Sequence, residues 1–307
     1  MKQITGIHHV TAIAGAPQRN QDFYSGVLGL RLVKLTVNYD DPETYHLYYG
    51  DYSGQPGTLI TFFPWKGVPK GRTGPGQMTV TAFAVPAGSL DYWAQRLTSR
   101  GIAVDGPNPL FADQALSLCD FDGMRVDLIA SANPDPANPA IRGFHSATLA
   151  VGSFDATAQL LTETMGFRRV GQEANRVRFE TADGGPGAIV DLIETDRSIR
   201  GLQGAGSVHH IAWRTADDAE QLAWRADLVA KGLGVSPVMD RTYFHSIYYR
   251  EPSGVLFEIA TDPPGMTVDE PLETLGHSLV LPAWLEPTRA QLIQALPRLN
   301  LRELQHA

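Results

Sequence analysis

The chain has one cysteine among 307 residues, Cys119. That excludes an internal disulfide framework and suits a reducing compartment. Its context, LSLCDF, reads as a strand in which the thiol packs rather than reacts. Long apolar runs are missing as well. None approaches the roughly 18–20 residues of a membrane span, and no secretory leader precedes Ile4, so a soluble cytoplasmic protein is expected. Positive charge is in the minority, with 25 Lys and Arg against 33 Asp and Glu and a net charge of −8. Broad binding to nucleic acid or anionic membranes is therefore not expected. The phosphate-loop pattern GxxxxGK[ST] and the nucleophile elbow GxSxG are both absent. What remains is an ordinary globular composition, 43% hydrophobic and 19% charged. The length suffices for two domains or one duplicated unit.

The dominant internal signal is a fourfold repeat of about fifty residues, each copy reading β-α-β-β-β. The first copy runs IHHVTAIA, a helix over 18–28 stopped by Gly29, then RLVKLTVNY, YHLYYGD and TLITFFP. The second has TVTAFAVP, a helix with Ser89 at its N-cap and Gly101 past its end, LSLCDF and MRVDLIA. The third has FHSATLAV, the helix SFDATAQLLTETMG, VRFETA and AIVDLIE. The fourth has VHHIAWRT, the helix DDAEQLAWRADLVAKG, SIYYRE and VLFEIA. SANPDPANP has linker composition and divides the chain. The expected organisation is an N-terminal half, 1–135 (modules 4–66 and 77–131), and a C-terminal half, 140–262 (modules 142–195 and 206–262). An extension, 263–307, follows and carries an amphipathic helix near 286–296.

Two of the four first strands carry adjacent histidines, and the repeat decides which of them matter. His9 aligns with Val80, Ser146 and His210. Four residues beyond the glycine of each last strand stand Thr61, Asp127, Asp191 and Glu258. Only the first and fourth copies together supply two histidines and a carboxylate: His9, His210 and Glu258. Those copies are expected to share one barrel, and the second and third to form a counterpart without metal. Two imidazoles and one carboxylate suit a facial site for Fe(II), or equally Mn(II), with positions left open for substrate and oxygen. A closed structural zinc site would more often have four ligands, commonly with cysteine.

In a regular strand His8 and His209 point away from their neighbours, so packing and a supporting role are both open for them. Thr11 shares the face of His9 and could bond substrate or oxygen, or simply suit a strand. Arg241, Tyr243, His245, Tyr248 and Tyr249 lie in DRTYFHSIYYREPSG, which reads either as a pocket wall or as an exposed sheet edge. Arg241 and Tyr248 have opposite parity, so both face one pocket only if a turn near 243–245 intervenes. His46 in YHLYYGD is expected to support the pocket wall.

GIHHVTAIAG, FYSGVLGLRLVKLTVNYDD, SVHHIAW, SGVLFEIATD and LPAWLEPTRAQLIQALP resemble the vicinal-oxygen-chelate superfamily. More narrowly, they resemble its branch of ring-cleaving dioxygenases acting on hydroquinones. The resemblance covers essentially the whole chain. It implies an α+β fold in which the four modules form two half-open mixed β-barrels with helices outside. It also implies Fe(II) on His9, His210 and Glu258, with His8, Thr11, His209, Arg241 and Tyr248 supporting the reaction. The implied partners are O2 and a small aromatic diol, opened beside a hydroxyl-bearing carbon; exposed sheet edges allow self-association. A glyoxalase-like metal-dependent lyase or isomerase, and a metal-free protein binding an aromatic ligand, are the alternatives.

Overall fold

Repeated strand and helix signals build the same unit four times in the computed structural model, which describes residues 2–135 and 137–301. The first module is β1 (Ile7–Ala14), α1 (Pro17–Gln21), β2 (Arg31–Asn38), β3 (Asp41–Gly50) and β4 (Leu59–Pro64). The second is β5 (Gln77–Pro86), α2 (Leu90–Ser99), β6 (Val104–Leu110), β7 (Asp113–Cys119) and β8 (Arg125–Ala132). The third is β9 (Phe144–Val151), α3 (Phe154–Gln159), β10 (Arg168–Glu173), β11 (Arg176–Glu180) and β12 (Ile189–Glu194). The fourth is β13 (Ser207–Thr215), α4 (Asp218–Ala230), β14 (Met239–Asp240), β15 (Phe244–Arg250) and β16 (Leu256–Pro264). A short helix, α5 (Arg289–Ala295), lies in the extension.

The helices end where expected: Gly29, Gly101, Gly166 and Gly232 all adopt positive φ, between 74° and 84°, a conformation open to glycine at little cost. Two details differ from the sequence reading. The helices of the first and third modules turn from α to π geometry at Asp22–Val27 and Leu160–Thr164. Ser89 does not cap α2, because its hydroxyl donates to the Pro86 carbonyl at 2.7 Å instead. Strands β6, β10 and β14 carry weak signals: the first contains Gly-Pro and a second proline, the second is polar and exposed, and the third has two residues. Cys119 lies exposed at the end of β7 and does not pack in the core.

The strands form two eight-stranded mixed sheets. One has the order β14-β15-β16-β13-β1-β4-β3-β2 and the other β10-β11-β12-β9-β5-β8-β7-β6. Modules one and four thus share a sheet, as do modules two and three, as the histidine and carboxylate pattern required. At the centre of the first sheet β1 pairs antiparallel with β13, while β4 and β16 run parallel on either side. The helices pack outside; α4 buries Gln221, Trp224 and Leu228 at helical spacing.

After β16 the chain crosses back to module one. Lys34 on β2 is fully buried, with Nζ 2.5 Å from both Asp269 and Glu270. Arg31 donates to the carbonyls of Leu272 (2.8 Å) and Glu273 (3.0 Å), and the Val280 amide donates to the Leu35 carbonyl (2.9 Å). Gly276 (φ 76°) lies so close to β2 that a Cβ there would stand 2.1 Å from the Leu32 carbonyl oxygen. This strap covers the outer edge of β2, which would otherwise offer free backbone groups. It also ties the end of the fourth module to the first. Residues 302–307 of the extension and Pro136 of the linker lie outside the described residues.

Candidate metal centre

β1, β13 and β16 lie side by side in the middle of the sheet, and their inward positions hold His9, His210 and Glu258. All three are buried, with 2%, 5% and 0% exposure. His9 Nε2 is 3.3 Å from His210 Nε2, and Glu258 Oε2 is 3.2 Å from the former and 2.9 Å from the latter. Two donors about 2.1 Å from one ion are about 3.0 Å apart at right angles and about 3.4 Å apart at the tetrahedral angle. The observed separations, 2.9 to 3.3 Å, lie in this range, so the three atoms can meet on a single ion. Glu258 Oε2 is buried close to both nitrogens without the alignment of a hydrogen-bond acceptor. The donor set and its spacing fit a divalent ion. Among the described residues no other group of His, Cys, Asp and Glu has this geometry.

Burial alone would raise the Glu258 carboxyl, but the imidazoles of His9 and His210 hold it well below the usual range. Burial lowers His210 despite the adjacent carboxylate, which favours the neutral, ligating form. The other carboxylate oxygen, Oε1, accepts from the buried Ser246 hydroxyl and is thereby fixed.

The neighbours His8 and His209 depart from the alternation expected of them. The β1–β13 register slips between Ile7 and His9 and again between Thr11 and Ala12, where β13 moves from His210 to Val208. Each slip is a bulge that contains one of these histidines and turns its ring toward its neighbour. His8 Nδ1 lies 2.9 Å from His9 Nδ1, and His209 Nδ1 lies 2.8 Å from His210 Nδ1. An imidazole that offers Nε2 to a metal carries its proton on Nδ1; in that state His9 and His210 would donate and their neighbours accept. His8 then donates from Nε2 to the Thr261 carbonyl, 3.2 Å away. Burial above all lowers His8 well below its ordinary value. Burial, with His210 and Arg250, lowers His209 to about 3. Both are neutral near pH 7 and serve as acceptors.

A cavity of about 300 Å³ opens beside the three donors. Phe63, Trp65, Phe244 and Leu256 give it apolar walls, and His209, Arg241 and Tyr248 line it with polar groups. Arg241 Nε donates to the Tyr248 hydroxyl at 3.2 Å, and its NH2 reaches Asp40 at 3.2 Å. The intervening turn lies at Thr242, φ 70°, so Arg241 and Tyr248 share the cavity despite their opposite parity. Burial and the Glu258 charge raise the Tyr248 phenol, although Arg241 opposes them, so it stands as a donor. Tyr243, His245 and Tyr249 lie elsewhere: Tyr243 donates to Asp269, His245 meets Asp218 near the surface, and Tyr249 donates to Met165 sulfur. Thr11 is fully buried behind the cavity, 2.8 Å from Thr61. His46 does line the wall.

Ser246 and Tyr48 escaped the sequence reading. Register would have found both, since Ser246 lies two residues before Tyr248, and Tyr48 pairs with Thr61 as Tyr248 pairs with Glu258.

The second sheet shows the same frame with other side chains at the corresponding stations. Its bulges fall at Thr79 and His145, and Val80 and Ser146 stand where the first sheet has His9 and His210. Arg178 occupies the register of Tyr248 and donates to Asp191 through Nε (2.8 Å) and NH2 (2.9 Å). A guanidinium compensates the buried carboxylate there.

The chain matches the family model described as Glyoxalase/Bleomycin resistance protein/Dioxygenase superfamily over residues 6–128 and 143–259. It is 47% identical over 315 residues to MhqO of Bacillus subtilis (strain 168), named provisionally as a ring-cleaving dioxygenase, covering 99% of each chain. It is 32% identical over 313 residues to a chlorohydroquinone/hydroquinone 1,2-dioxygenase of Sphingobium indicum, covering 96% of this chain and 97% of that one. A crystal structure of a dioxygenase, so described provisionally, from Bacillus subtilis superposes with a TM-score of 0.93 at 47% identity, over 99% of this chain and 100% of the other. Glyoxalase I from Zea mays shares the fold at a TM-score of 0.65 and 16% identity, over 91% of this chain and 98% of that one. With the β-α-β-β-β modules and paired sheets, these matches place the chain in the Glyoxalase/Bleomycin resistance protein/Dioxygenase superfamily.

Proposed function

We propose that this chain is an Fe(II)-dependent ring-cleaving dioxygenase that opens a hydroquinone, bare or substituted, or a related aromatic diol, with O2. The observation that carries the reading is the convergence of His9, His210 and Glu258 beside an aromatic-walled cavity. The names of the full-length relatives support the same chemistry. Iron held by these three residues supplies Lewis acidity and electron transfer between ring and O2, and Mn(II) suits the same donors.

The protein's own groups orient and protect. Phe63, Phe244 and Leu256 exclude water from a flat apolar ring. His8 and His209 hold the two ligating rings in the tautomer that presents Nε2. Tyr248, kept protonated by burial and the Glu258 charge and oriented by Arg241, donates to a ring oxygen, and Arg241 stabilises negative charge there. Thr11 acts from behind through Thr61. In the overall reaction the bond between a hydroxyl-bearing carbon and its neighbour breaks. The first carbon gains one oxygen atom and becomes a carboxylic acid; the second gains the other and becomes a carbonyl. Both atoms of O2 are retained, in the extradiol manner.

The halves 1–135 and 140–262, with the extension 263–307, belong to the same reading: neither half alone holds the three ligands. Among the described residues no helix is long and apolar enough to cross a membrane. A lyase or isomerase would need a further protein ligand or catalytic carboxylate, and Thr61 fills the symmetric place with its hydroxyl bonded to Thr11 and His46. An oxygen electrode tests the proposal. Methyl- and chloro-hydroquinone should drive oxygen uptake that depends on Fe(II) and reaches one O2 per ring. No uptake across a broad panel of diols would overturn it.

A further inference from the structure

Among the phenols that line the cavity, Tyr48 is one that the proposed chemistry does not use. It lies on β3 and pairs with Thr61 in the register by which Tyr248 pairs with Glu258. The two phenols therefore stand at equivalent stations of the two modules that share the site. Arg241 fixes Tyr248, and a different device fixes Tyr48. Its hydroxyl lies 2.9 Å from His46 Nδ1; His46 Nε2 lies 2.8 Å from Thr61 Oγ1, which lies 2.8 Å from Thr11 Oγ1. The His46 and Tyr48 rings also pack at 4.0 Å between centroids.

This chain of four polar side chains is costly to bury unless each member is satisfied. Thr11 and Thr61 are fully buried, and Tyr48 is 3% exposed. Burial above all keeps the His46 ring neutral, with one N–H for its two bonds. If His46 carries its proton on Nε2, it donates to Thr61, and the Tyr48 hydroxyl donates to Nδ1. If the proton is on Nδ1, His46 donates to Tyr48, and the phenolic O–H is free for a ligand in the cavity. Tyr48 can thus meet a ligand hydroxyl as acceptor or as donor without any change in charge.

We propose that Tyr48, positioned by the His46–Thr61–Thr11 chain, binds the diol oxygen that is not held at the metal and so selects a two-oxygen ring over a monophenol. The inference rests on the dioxygenase reading for its ligand class. In a para-diol the second oxygen lies across the ring and needs a partner away from the ligating trio. An apolar wall there would reject it, whereas a site built to bond a hydroxyl discriminates against the analogue that lacks it.

The test is anaerobic titration of Fe(II)-loaded protein with hydroquinone and with 4-methylphenol, which replaces one hydroxyl by a methyl of similar size. Wild type should prefer hydroquinone about tenfold, the scale of one neutral hydrogen bond. Tyr48→Phe should remove that preference by weakening hydroquinone alone. His46→Leu should lower the preference, and His46→Gln, which can still bond Tyr48, should restore it. Equal weakening of both ligands by Tyr48→Phe, an unchanged ratio, or no preference in wild type would each overturn the proposal. Oxygen uptake by wild type is read separately. If it is absent while the Tyr48-dependent selectivity persists, the dioxygenase reading fails and the diol-binding role stands.

Discussion

Replacing Lys34 by methionine tests how the strap closes the sheet that carries His9, His210 and Glu258. The ammonium is fully buried and lies 2.5 Å from Asp269 and 2.5 Å from Glu270, whose side chains are 26% and 9% exposed. Methionine keeps the length of the stem but leaves two carboxylates facing one another without a cation. Removing one partner of a buried ion pair costs about 3–5 kcal/mol. Water reaches Asp269, so the expected loss is smaller, about 2–4 kcal/mol. Urea unfolding should show that loss in the midpoint, and limited proteolysis should cut more readily between 265 and 281. Adding Asp269→Asn and Glu270→Gln removes the stranded charges and should recover much of the loss. A Lys34→Met protein within about 0.5 kcal/mol of wild type, with an equally protected strap, would refute the argument.

Gly276→Ala should loosen the same strap, because its Cβ would stand 2.1 Å from the Leu32 carbonyl oxygen; proteolysis of the extension reads the effect. Ser246→Ala frees Glu258 Oε1 and should weaken Fe(II) binding about 10–100-fold, measured by competition with a chelator. His8→Phe removes the acceptor of the His9 Nδ1 proton and should weaken metal binding on the same scale of about 10–100-fold. Arg178→Leu leaves Asp191 in the other sheet with only the Arg176 guanidinium, 3.0 Å away, and should cost about 1–3 kcal/mol in urea unfolding while the folded protein still takes up metal.

Repeats made the trio His9, His210 and Glu258 legible. A histidine in the first strand and a carboxylate in the last recur at fixed stations, and only modules one and four supply both. That one comparison also gave the pairing of modules into sheets. The roles of His8 and His209 were not legible in the same way. A bulge depends on how β1 meets β13, two hundred residues away in the chain, and alternation within either strand points the rings elsewhere. Tyr48 was within reach of sequence reasoning, since its station mirrors that of Tyr248, but YHLYYGD has three tyrosines and only a known register selects one. The strap was opaque. Lys34 reads as an exposed strand residue until Asp269 and Glu270 are seen to cover it, and nothing local connects segments 235 residues apart.

The central claim is that His9, His210 and Glu258 together hold one divalent ion. Anaerobic equilibrium dialysis against Fe(II) tests it most directly. Wild type should bind one equivalent per chain, and His9→Ala, His210→Ala and Glu258→Ala should each abolish that binding while keeping the wild-type circular dichroism spectrum. Full occupancy in any of the three folded variants would contradict the account.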